Sequence, residues 1–298
     1  MTDRVPENDQ RNSEGGTRPP EPGLHFVSVP IGNARDITLR ALDVLREADV
    51  LAAEDTRSLR RLLEIHGVPL NGRRIHAYHD ANGPKARPAL LAALGEGKSV
   101  AYASEAGTPL VADPGYVLAR AAAEAGHKVT CAPGASALTA ALAVAAMPSD
   151  RVLFAGFPPP SAGERRRWIE GLDAAGATVV LYESPRRVRD LLGELRDALG
   201  EGRPAALCRE LTKRFEEVRR GTLGSVAEGL DADPKGEIVL LIGRAEAKEA
   251  DAAEVEAMLR AALVRLSVKD AVREVMEASG MKRREVYAMA LRLEGEGR

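Results

Sequence analysis

The chain has 298 residues, 45% hydrophobic and 29% charged, with a net charge of -2. Such a makeup fits a soluble globular protein of roughly two domains and excludes a global basic field, so a polyanion must be met by local patches. No run of ~18 apolar residues marks a membrane span, and the two cysteines, Cys131 and Cys208, sit in strand-like runs. There they read as buried small hydrophobes of a reducing cytoplasm, not as a disulfide or a metal site.

Residues 1–23 are polar and carry Pro, Gly and Glu without an apolar signal core, which predicts a disordered tail. From Leu24 the pattern alternates. Leu24 to Val29 reads as a strand, Thr38 to Glu47 as a helix with Leu39, Leu42 and Leu45 on one side, and Val50 to Ala53 as a second strand. Ser58 to Ile65 and Pro88 to Leu94 read as helices, with Ile75 to Tyr78 extended between them. Lys98 to Ala103 and His127 to Cys131 are strand-like; Val117 to Ala125 and Ser136 to Ala146 are helical. Alternation of this kind implies helices packed on a largely parallel sheet.

The pattern restarts after Pro148. Val152 to Gly156, Thr178 to Tyr182, Ala205 to Arg209, Val218 to Thr222 and Glu237 to Ile242 are strand-like. The last contains a wholly apolar run, the mark of a central strand. Pro185 to Leu199 reads as a helix with proline in its first turn. Arg244 to Asp251 is a charged, alanine-rich linker. Beyond it only helical segments follow, and Val268 to Ala278, a Ser279-Gly280 turn and Lys282 to Leu293 resemble a helix-turn-helix. The expected fold class is α/β: one α/β domain over 24–135, a second over 136–244, and a helical appendage over 252–298.

No G-x-G-x-x-G and no Walker A occurs, so a dinucleotide or phosphate cradle of the usual kind is unsupported, and the Gly-rich loop of Rossmann-type methyltransferases is missing too. Ligands of open α/β sheets still bind at the carboxyl ends of strands. Four loops qualify: Pro30 to Asn33, Ser104 to Tyr116, Pro133 to Ser136 and Tyr182 to Pro185. Each carries Gly or Pro where backbone turns sharply or approaches something closely. In the second of them Gly107 lets the backbone come close, Pro109 and Pro114 stiffen the turn, Thr108 offers a hydroxyl, and Asp113 reads as the cap of a helix starting near Pro114.

Together these loops resemble a known family. Ser28 to Asn33 followed by Asp36 to Leu42 is similar to the first motif of one group within the tetrapyrrole methylase superfamily. Ala53-Glu54-Asp55-Thr56-Arg57 resembles that group's second motif and His79-Asp80-Ala81-Asn82 its third. Ala106-Gly107-Thr108-Pro109 with Asp113 to Tyr116 resembles the fourth, and Pro133 to Ala137 with Pro148-Ser149-Asp150 the fifth. Tyr182-Glu183-Ser184-Pro185 and Arg209 to Lys213 continue the likeness, which spans Leu24 to Gly243 in order. The Glu-Asp-Thr-Arg and Tyr-Glu-Ser-Pro motifs separate this group from its porphyrin-methylating relatives. The group is the ribosomal RNA small-subunit methyltransferase I family. One departure is Glu105, where the family usually has Asp; the extra methylene moves the carboxylate by about a bond length, while backbone contacts from the loop survive.

The resemblance implies S-adenosylmethionine as cofactor, S-adenosylhomocysteine as product, and a 2′-hydroxyl of a cytidine in 16S ribosomal RNA as acceptor. It implies a cofactor cleft between the two domains, edged by Pro30, Gly32, Ser104, Gly107, Thr108 and Pro109. Pro133, Ala135, Ser136, Tyr182, Glu183, Leu211 and Thr212 are expected to complete it. Methyl transfer is an in-line displacement for which proximity supplies at best ~7–11 kcal/mol. A general base adds ~10²–10⁴-fold. Candidates for it are Glu54, Asp55, His79 and Glu183, with Asp55 and Glu183 ranked above His79. Arg57 is either the ion-pair partner of Asp55 or a phosphate contact.

RNA phosphates need cations, and the expected contacts are Arg57, Arg165, Arg166, Arg167, Arg186, Arg187 and Lys213. Further basic pairs and triplets occur at Lys213-Arg214, Arg219-Arg220 and Lys282 to Arg284. Trp168 and Tyr116 read as packing residues. The expected partner is 16S ribosomal RNA or the small subunit, with no membrane and no metal, and superfamily members commonly dimerise, which implies a homodimer. The alternatives are a methyltransferase of the same superfamily acting on a tetrapyrrole or protein, and a non-catalytic nucleic-acid-binding module built on Val268 to Leu293.

Overall fold

The computed structural model describes residues 19–245, 252–279 and 281–296. Residues 1–18 of the expected disordered tail, linker residues 246–251 and Gly280 of the expected turn lie outside the described residues; the end of that tail is ordered, because Glu21 pairs with Lys128 at 2.6 Å and Gly23 opens the first strand. The first sheet contains β1 (Gly23–Val27), β2 (Val50–Ala53), β3 (Ile75–Ala77), β4 (Ser99–Ala103) and β5 (Val129–Ala132). All are parallel, in the order β3-β2-β4-β1-β5. Successive side chains of a strand face opposite ways, and here both faces are covered. Val27, Leu51, Ala101 and Ala103 pack against Ala41 and Leu45 of α1 (Leu39–Glu47) and Leu59 and Leu63 of α2 (Thr56–Ile65). Leu24, Phe26, Val100 and Tyr102 face Leu90 and Leu94 of α3 (Gly83–Gly95) and Leu118 and Ala122 of α4 (Tyr116–Glu124). Each fully buried leucine contributes roughly 1.5–3 kcal/mol.

After α5 (Ala137–Ala145) comes the second sheet. Its strands are β6 (Val152–Gly156), β7 (Thr178–Glu183), β8 (Pro204–Arg209), β9 (Glu217–Thr222) and β10 (Ile238–Ile242), in the order β6-β7-β10-β8-β9. Only β6 and β7 are parallel; the other neighbours are antiparallel. The apolar run of β10 is central and wholly buried. Its Leu240 and Ile242 face α6 (Ala162–Asp173), α7 (Val188–Leu199) and α8 (Leu223–Glu228), while Val239 and Leu241 face α5 through Ala141 and Ala145. The last helices, α9 (Ala252–Leu263), α10 (Val268–Ser279) and α11 (Arg283–Glu296), bury a core of their own around Val255, Leu259, Val272 and Val286. None of the described helices is long and apolar enough to cross a membrane.

Some local expectations change. Helix α6 is not marked in the sequence, because its apolar positions are sparse around Arg165-Arg166-Arg167. Helix α3 starts five residues earlier than Pro88, at Gly83, with a proline already in its first turn. Helix α7 starts at Val188, not Pro185: the Ser184 carbonyl accepts from both Arg187 N and Val188 N, so the proline belongs to the preceding turn. Cys208 is buried as expected, and burial pushes its thiol up to about 11. Cys131 is exposed, because β5 is an edge strand with an open outer side. Tyr116 is 62% exposed, with Arg120 over its ring, and so is not a core residue, whereas Trp168 packs against the second core as expected.

Candidate active site

The parallel strands of the first sheet all end on one side, and their loops meet the second sheet there. Val29 and Gly107 exchange backbone hydrogen bonds of 2.9 and 3.0 Å, which tie the loop after β1 to the loop after β4. Thr108 Oγ1 donates to the Ala135 carbonyl at 2.9 Å, which leaves Ser28 Oγ as its donor, also at 2.9 Å. One hydroxyl pair thus links three loops. Gly107 has φ +73°, and a Cβ there would stand 3.2 Å from Ile31 Cγ2. Leu110 and Ala112 also hold positive φ, at 71° and 63°. Backbone strain of this kind concentrates at ligand clamps.

The floor joins the two sheets. Asn33 N donates to Thr212 Oγ1 at 3.1 Å. Gly32 has no room for a side chain, since a Cβ would sit 2.5 Å from Lys213 Cγ. Lys213 reaches Glu210 at 2.8 Å and Glu237 at 3.1 Å. Burial alone would lower its pKa, but these two carboxylates outweigh it and raise the value.

Between the sheets lies a cleft of about 480 Å³. Glu54, Glu105, Asp113, Glu183 and Glu237 line it, and no Lys, Arg or His is among its described lining residues. Asp113 is pushed up to about 7, chiefly by loss of solvent and then by the charge of Glu54; the nearby Ser104 hydroxyl works the other way and Glu105 adds to the rise. Glu54 Oε2 accepts from Glu105 N at 3.2 Å. The Glu183 side chain is 1% exposed. Its Oε1 accepts from Ser184 N at 2.7 Å. Its Oε2 stands 3.1 Å from Arg187 Nη2 yet has no aligned hydrogen-bond partner among the described residues. The Tyr182 hydroxyl is pushed up by burial, and its ring meets the exposed Phe157 edge-on at 5.7 Å. A wall of carboxylates, one of which has a buried oxygen that is ion-paired but lacks an aligned hydrogen bond among the described residues, suits a cationic ligand with hydroxyl or ammonium donors.

Of the expected cofactor contacts, Gly107, Thr108, Ser136, Tyr182 and Glu183 line this cleft. Pro30, Gly32 and Ser104 instead line an adjoining groove. Ser104 Oγ is turned inward, donating to Ala106 O at 3.2 Å. Pro109, Pro133, Ala135, Leu211 and Thr212 line neither space; Ala135 and Thr212 act through the cross-loop bonds above. Asp113 is not a cap: α4 starts after Gly115, whose φ is 128°, and no side chain caps it. The double turn delivers the Asp113 carboxyl to the cleft instead.

Among the base candidates, Glu54 and Glu183 line the cleft and Asp55 and His79 do not. Asp55 caps α2, accepting from Arg57 N at 2.7 Å and Ser58 N at 3.4 Å. Those bonds hold its carboxyl below the usual range. The His79 motif is a helix-entry turn in which the Asn82 side chain takes His79 N at 2.9 Å and reaches Ala77 O at 3.0 Å.

The basic residues divide in the same way. Arg165 is engaged internally: its guanidinium grips Glu194 at 2.6 and 2.5 Å and reaches the carbonyls of Pro159 and Pro160. Arg187 is tied to Pro158 O at 2.9 Å and lies beside Glu183. Lys213 is held by its two carboxylates. Arg57, Arg166, Arg167 and Arg186 are exposed. Sequence reasoning missed Phe157 and Gly236 of the cleft, although the Pro234-Lys235-Gly236 turn signal could have marked the second; Glu237 and Ile238 were legible only as a strand start.

Comparison with known proteins defines the class. A family model described as Tetrapyrrole (Corrin/Porphyrin) Methylases matches residues 23–227. Solved structures agree on the fold. The methyltransferase CobJ superposes with a TM-score of 0.57 at 19% identity, covering 75% of this chain and 94% of its own. A diphthine synthase gives 0.56 at 19% identity, covering 74% and 89%. A second model, described as RsmI C-terminal HTH domain, matches residues 249–294. The ribosomal RNA small subunit methyltransferase I of Mesorhizobium japonicum is 46% identical, over 94% of this chain and 96% of its own. That of Escherichia coli is 40% identical, over 91% and 96%. The chain belongs to the ribosomal RNA small subunit methyltransferase I family, a branch of the tetrapyrrole methylase fold.

Proposed function

We propose that the chain transfers the methyl group of S-adenosylmethionine to the 2′-hydroxyl of a cytidine in 16S ribosomal RNA. The observation that carries this reading is the cleft wall, with its five carboxylates and no basic side chain among the described lining residues. A sulfonium cofactor with a protonated amine fits such a wall, and its donors match Glu183 Oε2, which is ion-paired to Arg187 but has no aligned hydrogen bond among the described residues. When bound, the cofactor supplies an electrophilic methyl group on a sulfur leaving group.

The chain's own part is positional. The crossed loops after β1, β4 and β5 hold Gly107 and Thr108 rigidly, so little order is lost on binding. Tyr182 and Phe157 shield the cleft from the second sheet. Oriented contact of this kind is worth at best ~7–11 kcal/mol. Glu54 and Glu183 are the base candidates with access to the cleft, and Glu54 is the more hydrated of the two. A carboxylate there accepts the hydroxyl proton as the oxygen attacks.

Small-subunit ribosomal RNA as the acceptor is supported by the relatives, which bear the name of a small-subunit ribosomal RNA methyltransferase at 46% and 40% identity. The reading expects three working units, 24–135, 136–244 and 252–298, in a cytoplasmic homodimer that meets the small subunit. The test is transfer of tritiated methyl from S-adenosylmethionine to undermethylated small subunits, with nucleoside analysis. Label in 2′-O-methylcytidine is expected. Absence of label in RNA, with cofactor binding intact, contradicts the reading and leaves a tetrapyrrole or protein acceptor.

A further inference from the structure

Beside the cleft runs a second space of about 270 Å³, lined in part by Pro30, Gly32 and Ser104, which the family resemblance had set against the cofactor. Ligand pockets span ~300–1,000 Å³, so its size suits one small moiety rather than a whole cofactor. Ile31, Glu105, Ala106 and Glu237 line both spaces and form their common wall. One side of the groove is a helix face: Ser58, Arg61, Leu62 and Ile65 of α2 recur at the three- and four-residue spacing that brings side chains together. Opposite are Pro30 and Ile31.

The chemistry of the two spaces differs. The cleft has carboxylates alone among its described charged lining residues, whereas the groove adds Arg61 and Lys213 to the two shared carboxylates, Glu105 and Glu237, beside apolar Pro30, Ile31, Leu62 and Ile65. Ile65 is 56% exposed, a large apolar side chain left open to the groove. Arg61 is exposed and has no ion pair or hydrogen bond among the described residues. The groove's other cation, Lys213, is already held by Glu210 and Glu237. Arg57, one helical turn before Arg61, has a side chain 92% exposed and only a 3.6 Å contact with Asp55.

We propose that this groove is the acceptor-nucleotide subsite, and that Arg61 holds the RNA phosphate next to the methylated sugar. The proposal rests on the RNA reading above and adds its geometry. A nucleotide has an apolar base, an anionic phosphate and sugar hydroxyls, and the groove offers each a counterpart. Apolar Pro30, Ile31, Leu62 and Ile65 receive the base; Arg61 meets the phosphate; the wall shared with the cleft receives the sugar. An acceptor hydroxyl at that wall faces the cleft directly, as in-line transfer requires.

The test is steady-state methylation of undermethylated small subunits by the full chain. Arg61→Ala, Arg61→Lys and Arg61→Glu are compared with Arg120→Ala, which removes an exposed charge elsewhere. Thermal unfolding confirms the fold of each. For Arg61→Ala the KM for subunits rises about tenfold, kcat stays within about twofold, and affinity for S-adenosylhomocysteine is unchanged. The salt dependence of binding loses one phosphate's worth of slope, roughly 0.7–0.9. Arg61→Lys recovers most of the KM, and Arg61→Glu loses more than Arg61→Ala. If wild type methylates the RNA but Arg61→Glu keeps its KM and salt slope, the subsite is wrong and the RNA reading stands. An equal loss of S-adenosylhomocysteine affinity also overturns the proposal, by assigning Arg61 to the cleft. If wild type binds cofactor but labels no RNA, the RNA reading itself fails and the subsite falls with it.

Discussion

Asp113 sits half-buried near Glu54 and Glu105, and its carboxyl rises to about 7 from an ordinary value of 3.8. The folded chain therefore holds more protons than the unfolded chain between those two values. Stability falls as pH rises through that window, and the full cost is present above it. A tenfold change in proton affinity corresponds to about 1.4 kcal/mol, and solvent screening at a half-buried group reduces the total to roughly 1–2 kcal/mol. Asp113→Asn keeps the shape and removes the charge. Urea unfolding is expected to give the variant an advantage of about 1–2 kcal/mol at pH 8 and none near pH 4. Equal stabilities at pH 8 would show that the carboxyl is not perturbed. Asp55 is the counterexample at the same scale. A place just past the end of β2 is no evidence of catalysis when the next element needs a cap, and the two backbone partners of Asp55 are the first turn of α2.

The loops after β1, β4 and β5 act as one element. The Val29–Gly107 bridge and the Ser28–Thr108–Ala135 chain hold them together, and Gly107 supplies a left-handed turn at their crossing. Gly107→Ala places a Cβ at φ +73° and 3.2 Å from Ile31 Cγ2. The strain costs about 1–3 kcal/mol, and any displacement of Ile31 moves the wall that cleft and groove share. Denaturant unfolding with S-adenosylhomocysteine calorimetry is expected to show both a lower stability and at least a tenfold weaker affinity. Unchanged affinity would uncouple the crossing from the cleft. Much of this element was legible in the sequence, because Gly and Pro punctuate strand ends for backbone reasons that do not depend on the rest of the fold. The alternation that built the first sheet was legible for the same reason. What was not legible required partners distant in sequence. Arg165 looked like a phosphate contact until Glu194 and the Pro159 and Pro160 carbonyls came into reach. Asp113 looked like a cap until the double turn carried it inward. Arg61, one of an adjacent Arg60-Arg61 pair that the sequence alone does not single out, gained meaning from the groove beside it.

Across the whole molecule, a net charge of -2 hides two opposed surfaces. The cleft between the sheets is lined by acids, while α2 presents Arg57 and Arg61 beside it. A cationic methyl donor and an anionic acceptor can thus approach a common wall from two sides, each drawn to its own sign of charge. The floor formed by Asn33, Thr212, Lys213, Glu210 and Glu237 sets the distance between the sheets and so the width of that meeting place. The central claim is that the acidic cleft takes a sulfonium cofactor. The direct measurement is calorimetric titration of S-adenosylmethionine and S-adenosylhomocysteine into the full chain at pH 7, each in phosphate and in Tris. Both ligands share the same amine, so their difference isolates the sulfonium. The account predicts tighter binding of S-adenosylmethionine, with more protons released, because the added cation draws down the Asp113 carboxyl. Equal proton release by the two ligands, or no binding of either, would contradict it.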